Sequence, residues 1–279
     1  MVVDAKGTKP PSNDNEAKLN AVVERYTADL YTELSEVWTA WKCEFTLRDL
    51  NAVVGALLAR QVTLSTELAR ARTCWNYHVG PLFLRAMADV HISVAWILED
   101  PDQRVDRCRK YIDFGLGQHK LELERRRATI EEQDRDTTED EIVSIESGEQ
   151  WLNSQRAIFL TEVNVGSWSG LSVRKMAQEA GCIDFYNQVY TPWSGVAHSM
   201  WQHIGRYNAV QCQNPLHGFH FVPAIINAED HYVLYLTGKY ANKTFRLFRS
   251  KFGLKAYTHS AFGRLVSGLK ELDSTSSGE

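Results

Sequence analysis

Pro81 to Leu98 reads PLFLRAMADVHISVAWIL, and wound as a helix it is apolar on nearly every side. A helix of that kind belongs in the middle of its domain, because no face of it gains from water. Pro81 suits a first helical turn, where its missing N–H costs nothing. Asp100-Pro101 closes the run, since a residue before proline avoids the α region. Two charges interrupt the apolar stretch. Arg85 and Asp89 are four residues apart and share a face, so they can pair. Unpaired, either would be expensive to bury.

That pair has two readings. It is an ion pair that fixes how helices dock, or Asp89 holds Arg85 ready for an anionic ligand such as a phosphate. His91 also lies in this helix. Six residues beyond Arg85, it points about 120° away, which suits a core histidine as well as a catalyst.

Working outward, Ala17–Trp41 and Leu47–Asn76 carry apolar residues at helical spacing. Asp100 can cap a further helix that begins at Pro101 and runs towards Glu132, disturbed near Gly115 and Gly117. The acidic stretch 134–148 reads as a mobile, solvated connection. Helices follow at Ser172–Ala180, Pro192–Tyr207, Ile226–Phe252 and Tyr257–Leu272, and Gly218–Val222 is the one strand candidate. Residues 1–16 and 273–279 are polar and read as disordered. The fold expected is therefore all-α: a single large helical bundle over 17–272, built around a buried central helix.

The second cluster is PWSGVAHSMWQHIGRYN from Pro192. Ser194 and His198 are one turn apart on the flank of its apolar face, with Gln202 a turn beyond. His198 is the preferred catalytic histidine, since imidazole titrates near neutral pH; a surface histidine beside a hydroxyl is the plainer reading. A Gly-x-Ser-x-Gly elbow is missing, which argues against a serine hydrolase.

Composition narrows the classes further. With 279 residues, 44% of them hydrophobic, the chain can build its core without disulfides or a structural metal. Its five cysteines are scattered and form no C-x-x-C pair, so reduced thiols in a cytoplasmic protein are expected. His217 and His220 form a lone pair, and no three ligands at metal spacing stand out, so no metal or other cofactor is expected. A net charge of −4 does not suit a duplex-DNA binder. The polar N-terminus is unlike a signal peptide, and no apolar run reads as membrane-spanning.

Two resemblances rest on these residues. LFLRAMADVHISVAWILEDPDQRVDRCRKY followed by VRKMAQEAGCIDFYNQVYTPWSGVAHS resembles a family of uncharacterised, all-helical bacterial proteins. That family has an arginine and an acidic residue four apart, then a tyrosine, a serine and a histidine in the order Tyr190, Ser194, His198. It usually has glutamate where this chain has Asp89. More remotely, the chain resembles the HEPN superfamily of helical nucleases, whose motif is an arginine, four to six residues and a histidine. Arg85-x5-His91 and Arg72-x5-His78 both meet it.

The HEPN resemblance implies a metal-independent endoribonuclease of a prokaryotic defence or toxin type, dimeric, with RNA as its partner. Arg85 would then stabilise phosphate charge, Asp89 would orient it, and His198 or His91 would act as acid or base. Ser194, Tyr190 and Gln202 would bind substrate. The alternative is a non-catalytic helical module whose same residues hold a small anionic or phosphorylated ligand, or a protein partner.

Overall fold

The structure is a computed structural model that describes residues 3–5, 13–42, 44–133, 137–155, 166–255 and 260–276. The protein is all-α apart from one small sheet. Its first three long helices are α1 (Asn13–Ala40), α2 (Arg48–Arg70) and α3 (Gly80–Glu99). Two more follow, α4 (Arg104–Glu131) and α5 (Glu139–Ser154). Shorter helices come next: α6 (Val173–Glu179), α7 (Ile183–Phe185), α8 (Thr191–Ala197) and α9 (Trp201–Tyr207). The chain ends on α10 (Tyr232–Lys251) and α11 (Ala261–Ser276). Strands β1 (Val3–Ala5), β2 (Ala209–Gln211) and β3 (Phe221–Ile226) form a sheet in the order β1-β3-β2.

The helix quoted first is indeed the centre. α3 packs on α2, α4, α6, α8 and α10. Leu84, Met87, Ala88, Ile92, Val94, Ile97 and Leu98 are completely buried along it. By length and composition alone α3 could cross a membrane, which the sequence reading did not expect; 67% of that stretch is buried inside the bundle. Both ends of α3 are tied down. At the start, Asn76 Oδ1 accepts the N–H groups of His78 and Val79, each at 2.9 Å. A Cβ on Gly80 would lie 2.9 Å from Val233 Cγ1 and 3.0 Å from the Cys74 carbonyl oxygen, so only glycine lets α10 approach so closely. At the far end, Arg104 donates to the Leu98 carbonyl at 3.0 and 3.2 Å, and Arg107 donates to that of Trp96. These bonds satisfy carbonyls that a helix terminus leaves without partners.

Buried polar groups stitch α2, α3 and α10 together. Thr244 Oγ1 donates to the Tyr240 carbonyl and accepts from Gln61 Nε2, both at 3.2 Å. The hydroxyl's proton is then in use, so His91 Nδ1, 3.1 Å away, must carry the hydrogen it shares. His91 is thus a neutral core histidine, edge-on to Phe185. Burial, with Lys243 nearby, lowers its pKa from 6.5 to about 3. Between those values the unfolded chain binds a proton that the folded chain refuses. Stability from His91 is therefore complete above pH 6.5 and is lost as pH falls towards 3. Urea unfolding at pH 7 and at about pH 4.5 should show a smaller loss on acidification in His91→Gln than in the wild type. An equal loss in both would contradict this.

Among the described residues, one ion pair is truly buried. Arg249 Nη2 of α10 donates to Glu33 Oε1 of α1 at 2.5 Å, with the two side chains only 6% and 5% exposed. Glu33 Oε2 also accepts the Ala261 N–H at 2.9 Å, which anchors the start of α11.

Several expectations need correction. The acidic stretch 134–148 is mostly helix, although residues 134–136 lie outside the described residues. Thr138 and Glu141 form a reciprocal capping box at the start of α5, and Glu139, Asp140 and Glu141 suit the positive end of its dipole. Thr138→Ala should cost α5 about 1 kcal/mol, read as lost helicity by circular dichroism; unchanged helicity would contradict the cap. Asn13–Glu16 and Asp273–Ser276 belong to helices, and Val3–Ala5 is a strand. The remainder of the two polar termini lies outside the described residues. α4 starts at Arg104, three residues later than expected; Asp100 does accept the Asp102 N–H at 3.0 Å, as a cap would, but it serves the turn 101–103 that leads into the helix. Gly115 and Gly117 do not interrupt it. The strand lies at Phe221–Ile226, later than expected.

Candidate functional site

Arg85 and Asp89 do pair, and a third residue completes the group. Arg85 Nη1 bonds Asp89, and Nη2 bonds the hydroxyl of Tyr190. That hydroxyl can both accept from arginine and donate to Asp89. The guanidinium also lies over the Tyr190 ring, 3.5 Å from its centre. Tyr186 stacks on Tyr190 at 4.8 Å, with the rings 19° from parallel. The backbone from Tyr186 to Tyr190 is a π-helical turn, a form often found at functional sites.

This pair is less buried than Glu33–Arg249. The Arg85 side chain is 18% exposed and that of Asp89 41%. Burial still raises the Asp89 pKa, against the opposing pull of Arg85. Burial, reinforced by the Asp89 charge, pushes the Tyr190 hydroxyl up to about 12, so it keeps its proton at neutral pH. Arg85 Nε is buried without a hydrogen-bond partner.

Just before α3 begins is a second group, which no sequence spacing brings together. His78 Nε2 lies 2.8 Å from the Ile226 carbonyl, and its Nδ1 lies 3.3 Å from His203 Nε2. A carbonyl only accepts, so His78 carries its hydrogen on Nε2. Its Nδ1 then accepts from His203, which leaves the lone pair of His203 on Nδ1. Tyr207 packs against both rings, and Tyr77 stacks on Tyr207 at 4.8 Å. Burial, with His78 alongside, lowers the His203 pKa, so the ring is neutral at pH 7.

α8 packs against α3 along a seam, and the Arg85–Tyr190 and His78–His203 bonds both join the chain around α3 to the segment around α8 and α9. On one side the chain runs from His78, in the turn before α3, to Arg85 on α3; on the other it runs from Tyr190 through α8 to His203 on α9. Ser194 is half-buried on α8. His198 and Gln202 are placed differently from the expectation. α8 stops at Ala197, His198 is its exposed C-terminal cap, and Ser199 takes a left-handed φ of 50° that breaks the helix. Gln202 therefore does not follow His198 along one face. It folds back so that a Cβ on Gly195 would lie 2.7 Å from its Nε2. His91 faces the core on the other side of α3. Arg72, of the second arginine–histidine spacing, is held by Glu229 at 2.5 Å and Glu16 at 3.3 Å.

Residues 51–215 match the family of unknown function DUF5677, and that is more than half of the chain. The protein belongs to this family. Both walls of the seam, from His78 to Asp89 and from Tyr186 to Tyr207, fall inside the part that defines DUF5677. The Ile226 carbonyl, which accepts from His78, falls beyond that part. No curated protein and no solved structure matches the chain.

Proposed function

We propose that the protein is a metal-independent endoribonuclease of the HEPN-like kind, cutting single-stranded RNA along the seam between α3 and Tyr186–Tyr207. What carries the reading is the His203–His78 pair: one imidazole, neutral at pH 7, whose free nitrogen is chosen by the other. A general base needs that preparation. His203 Nδ1 takes the proton of an RNA 2′-hydroxyl. The 2′ oxygen then bonds to phosphorus, and the 5′ oxygen leaves with its electron pair and is protonated by water. Arg85 has a second hydrogen on each Nη for phosphate oxygens, held in place by Asp89. The Arg85–Tyr190–Tyr186 stack offers a surface for a base. A cytoplasmic role in prokaryotic defence, and a dimer that joins two such seams, belong to the same proposal.

A binding module is the second reading. The double grip of Asp89 and Tyr190 on Arg85 favours it, because a saturated arginine locks helices as readily as it holds a ligand.

The test compares an RNA with a DNA of the same sequence, both in excess chelator. The RNA should be cut and the DNA, which lacks the 2′-hydroxyl, should not. Equal cutting of both, or an RNA left whole at stoichiometric protein, would end the ribonuclease reading.

A further inference from the structure

The loop between β2 and β3 brings together three donors that sequence spacing keeps apart. His217 and His220 look like a lone pair, but the fold adds Cys212 beside them. Cys212 N–H donates to the His220 carbonyl at 2.8 Å and closes the base of the hairpin. Inside it, His217 N–H donates to the Asn214 carbonyl at 3.0 Å and His220 N–H to the His217 carbonyl at 3.2 Å. Phe219 takes a left-handed φ of 58°. Doubled back this way, the loop holds the ligand atoms of Cys212, His217 and His220 within 4.8 Å of one another.

We propose that this loop binds one Zn2+ through Cys212 Sγ, His217 and His220. The decisive spacing is Cys212 Sγ to His217 Nδ1, which is 3.6 Å. On a tetrahedral zinc, with bonds of about 2.3 Å to sulfur and about 2.0 Å to nitrogen, the two ligand atoms stand about 3.5 Å apart. That edge of the site is therefore already at ligand spacing. A thiolate with two imidazoles suits zinc and disfavours magnesium or calcium, which prefer oxygen. The fourth position is left to water, on a loop whose Leu216 and Phe219 are 90% and 92% exposed.

Asn214 supplies an outer contact. Its Oδ1 accepts from the Leu216 N–H at 3.0 Å, so its Nδ2 faces His217 Nε2 at 3.2 Å. Without metal, the His217 hydrogen is then on Nδ1, pointing at the sulfur. Zinc displaces the thiol proton of Cys212, so binding releases one proton and tightens as pH rises. Ligation through Nδ1 moves the ring hydrogen to Nε2, and Asn214 must turn its oxygen there at the expense of Leu216. The site shares no residue with the His78–His203 seam, so it stands or falls independently of ribonuclease activity.

The test uses Co2+ as a spectroscopic probe, titrated into the reduced full-length chain. One equivalent should produce thiolate-to-metal charge-transfer absorption with tetrahedral ligand-field bands, and Zn2+ should displace it. Cys212→Ser should abolish the charge-transfer band, and Cys182→Ser should leave it intact. His217→Ala and His220→Ala should each weaken binding by about tenfold or more. Circular dichroism confirms that each variant is folded. No thiolate band from the wild type, or a band that survives in Cys212→Ser, would overturn the site.

Discussion

Replacing Arg249 with alanine should lower the unfolding free energy by about 3–5 kcal/mol, whereas Arg85→Ala should cost about 1 kcal/mol. Both residues are helical arginines bonded to one carboxylate, and burial decides between them. Arg249 and Glu33 are almost wholly inside the protein, joining α10 to α1, and Glu33 also holds the first turn of α11. Removing the arginine strands a buried carboxylate that has no water to turn to. Asp89 is 41% exposed, so when Arg85 is lost water replaces most of what the guanidinium gave. Equilibrium urea unfolding of the two variants measures the difference. Equal losses would mean that Arg85 carries the structural burden assigned here to Arg249.

His203→Ala should reduce RNA cleavage about 10²–10⁴-fold while the protein stays folded, the usual contribution of a general base. His78→Ala should cost less, since it removes the group that selects the His203 tautomer and not the base itself. The wild-type pH–rate profile adds a second sign. A base must be unprotonated, and the His203 pKa is lowered from 6.5, so cleavage should persist below pH 6.5 before it falls. His198→Ala should leave the rate unchanged, because that ring is an exposed helix cap. Loss at His198 with His203 dispensable would return the chemistry to the exposed end of α8.

What the sequence made legible follows from distance along the chain. α3 could be read directly, because a helix apolar on all sides has one place to go. Arg85 and Asp89 could be paired because four residues make one turn. Tyr190 was named as a site residue, but its stacking on Arg85 depends on how α3 meets the segment from Tyr186 onward. His78 and His203 are 125 positions apart, and Glu33 and Arg249 are 216 apart. No local period joins such residues, and Arg249 in particular looks like any charge on an amphipathic helix.

Other errors had local causes. The capping box Thr138-x-x-Glu141 was visible in the sequence, but the surrounding acidity outweighed it in the reading of 134–148. The break at Ser199 carries neither proline nor glycine, so nothing local marks it. Cys212, His217 and His220 fall at no familiar zinc spacing. Only the turn through Phe219 brings them together.

The central claim is that His203 works on RNA from within the seam. It is tested most directly by incubating one labelled single-stranded RNA, in excess chelator, with the wild type and with His203→Ala, and measuring 2′,3′-cyclic phosphate ends. Such ends should accumulate with the wild type and vanish with the variant. No cyclic ends from the wild type, or equal amounts from both proteins, would contradict it.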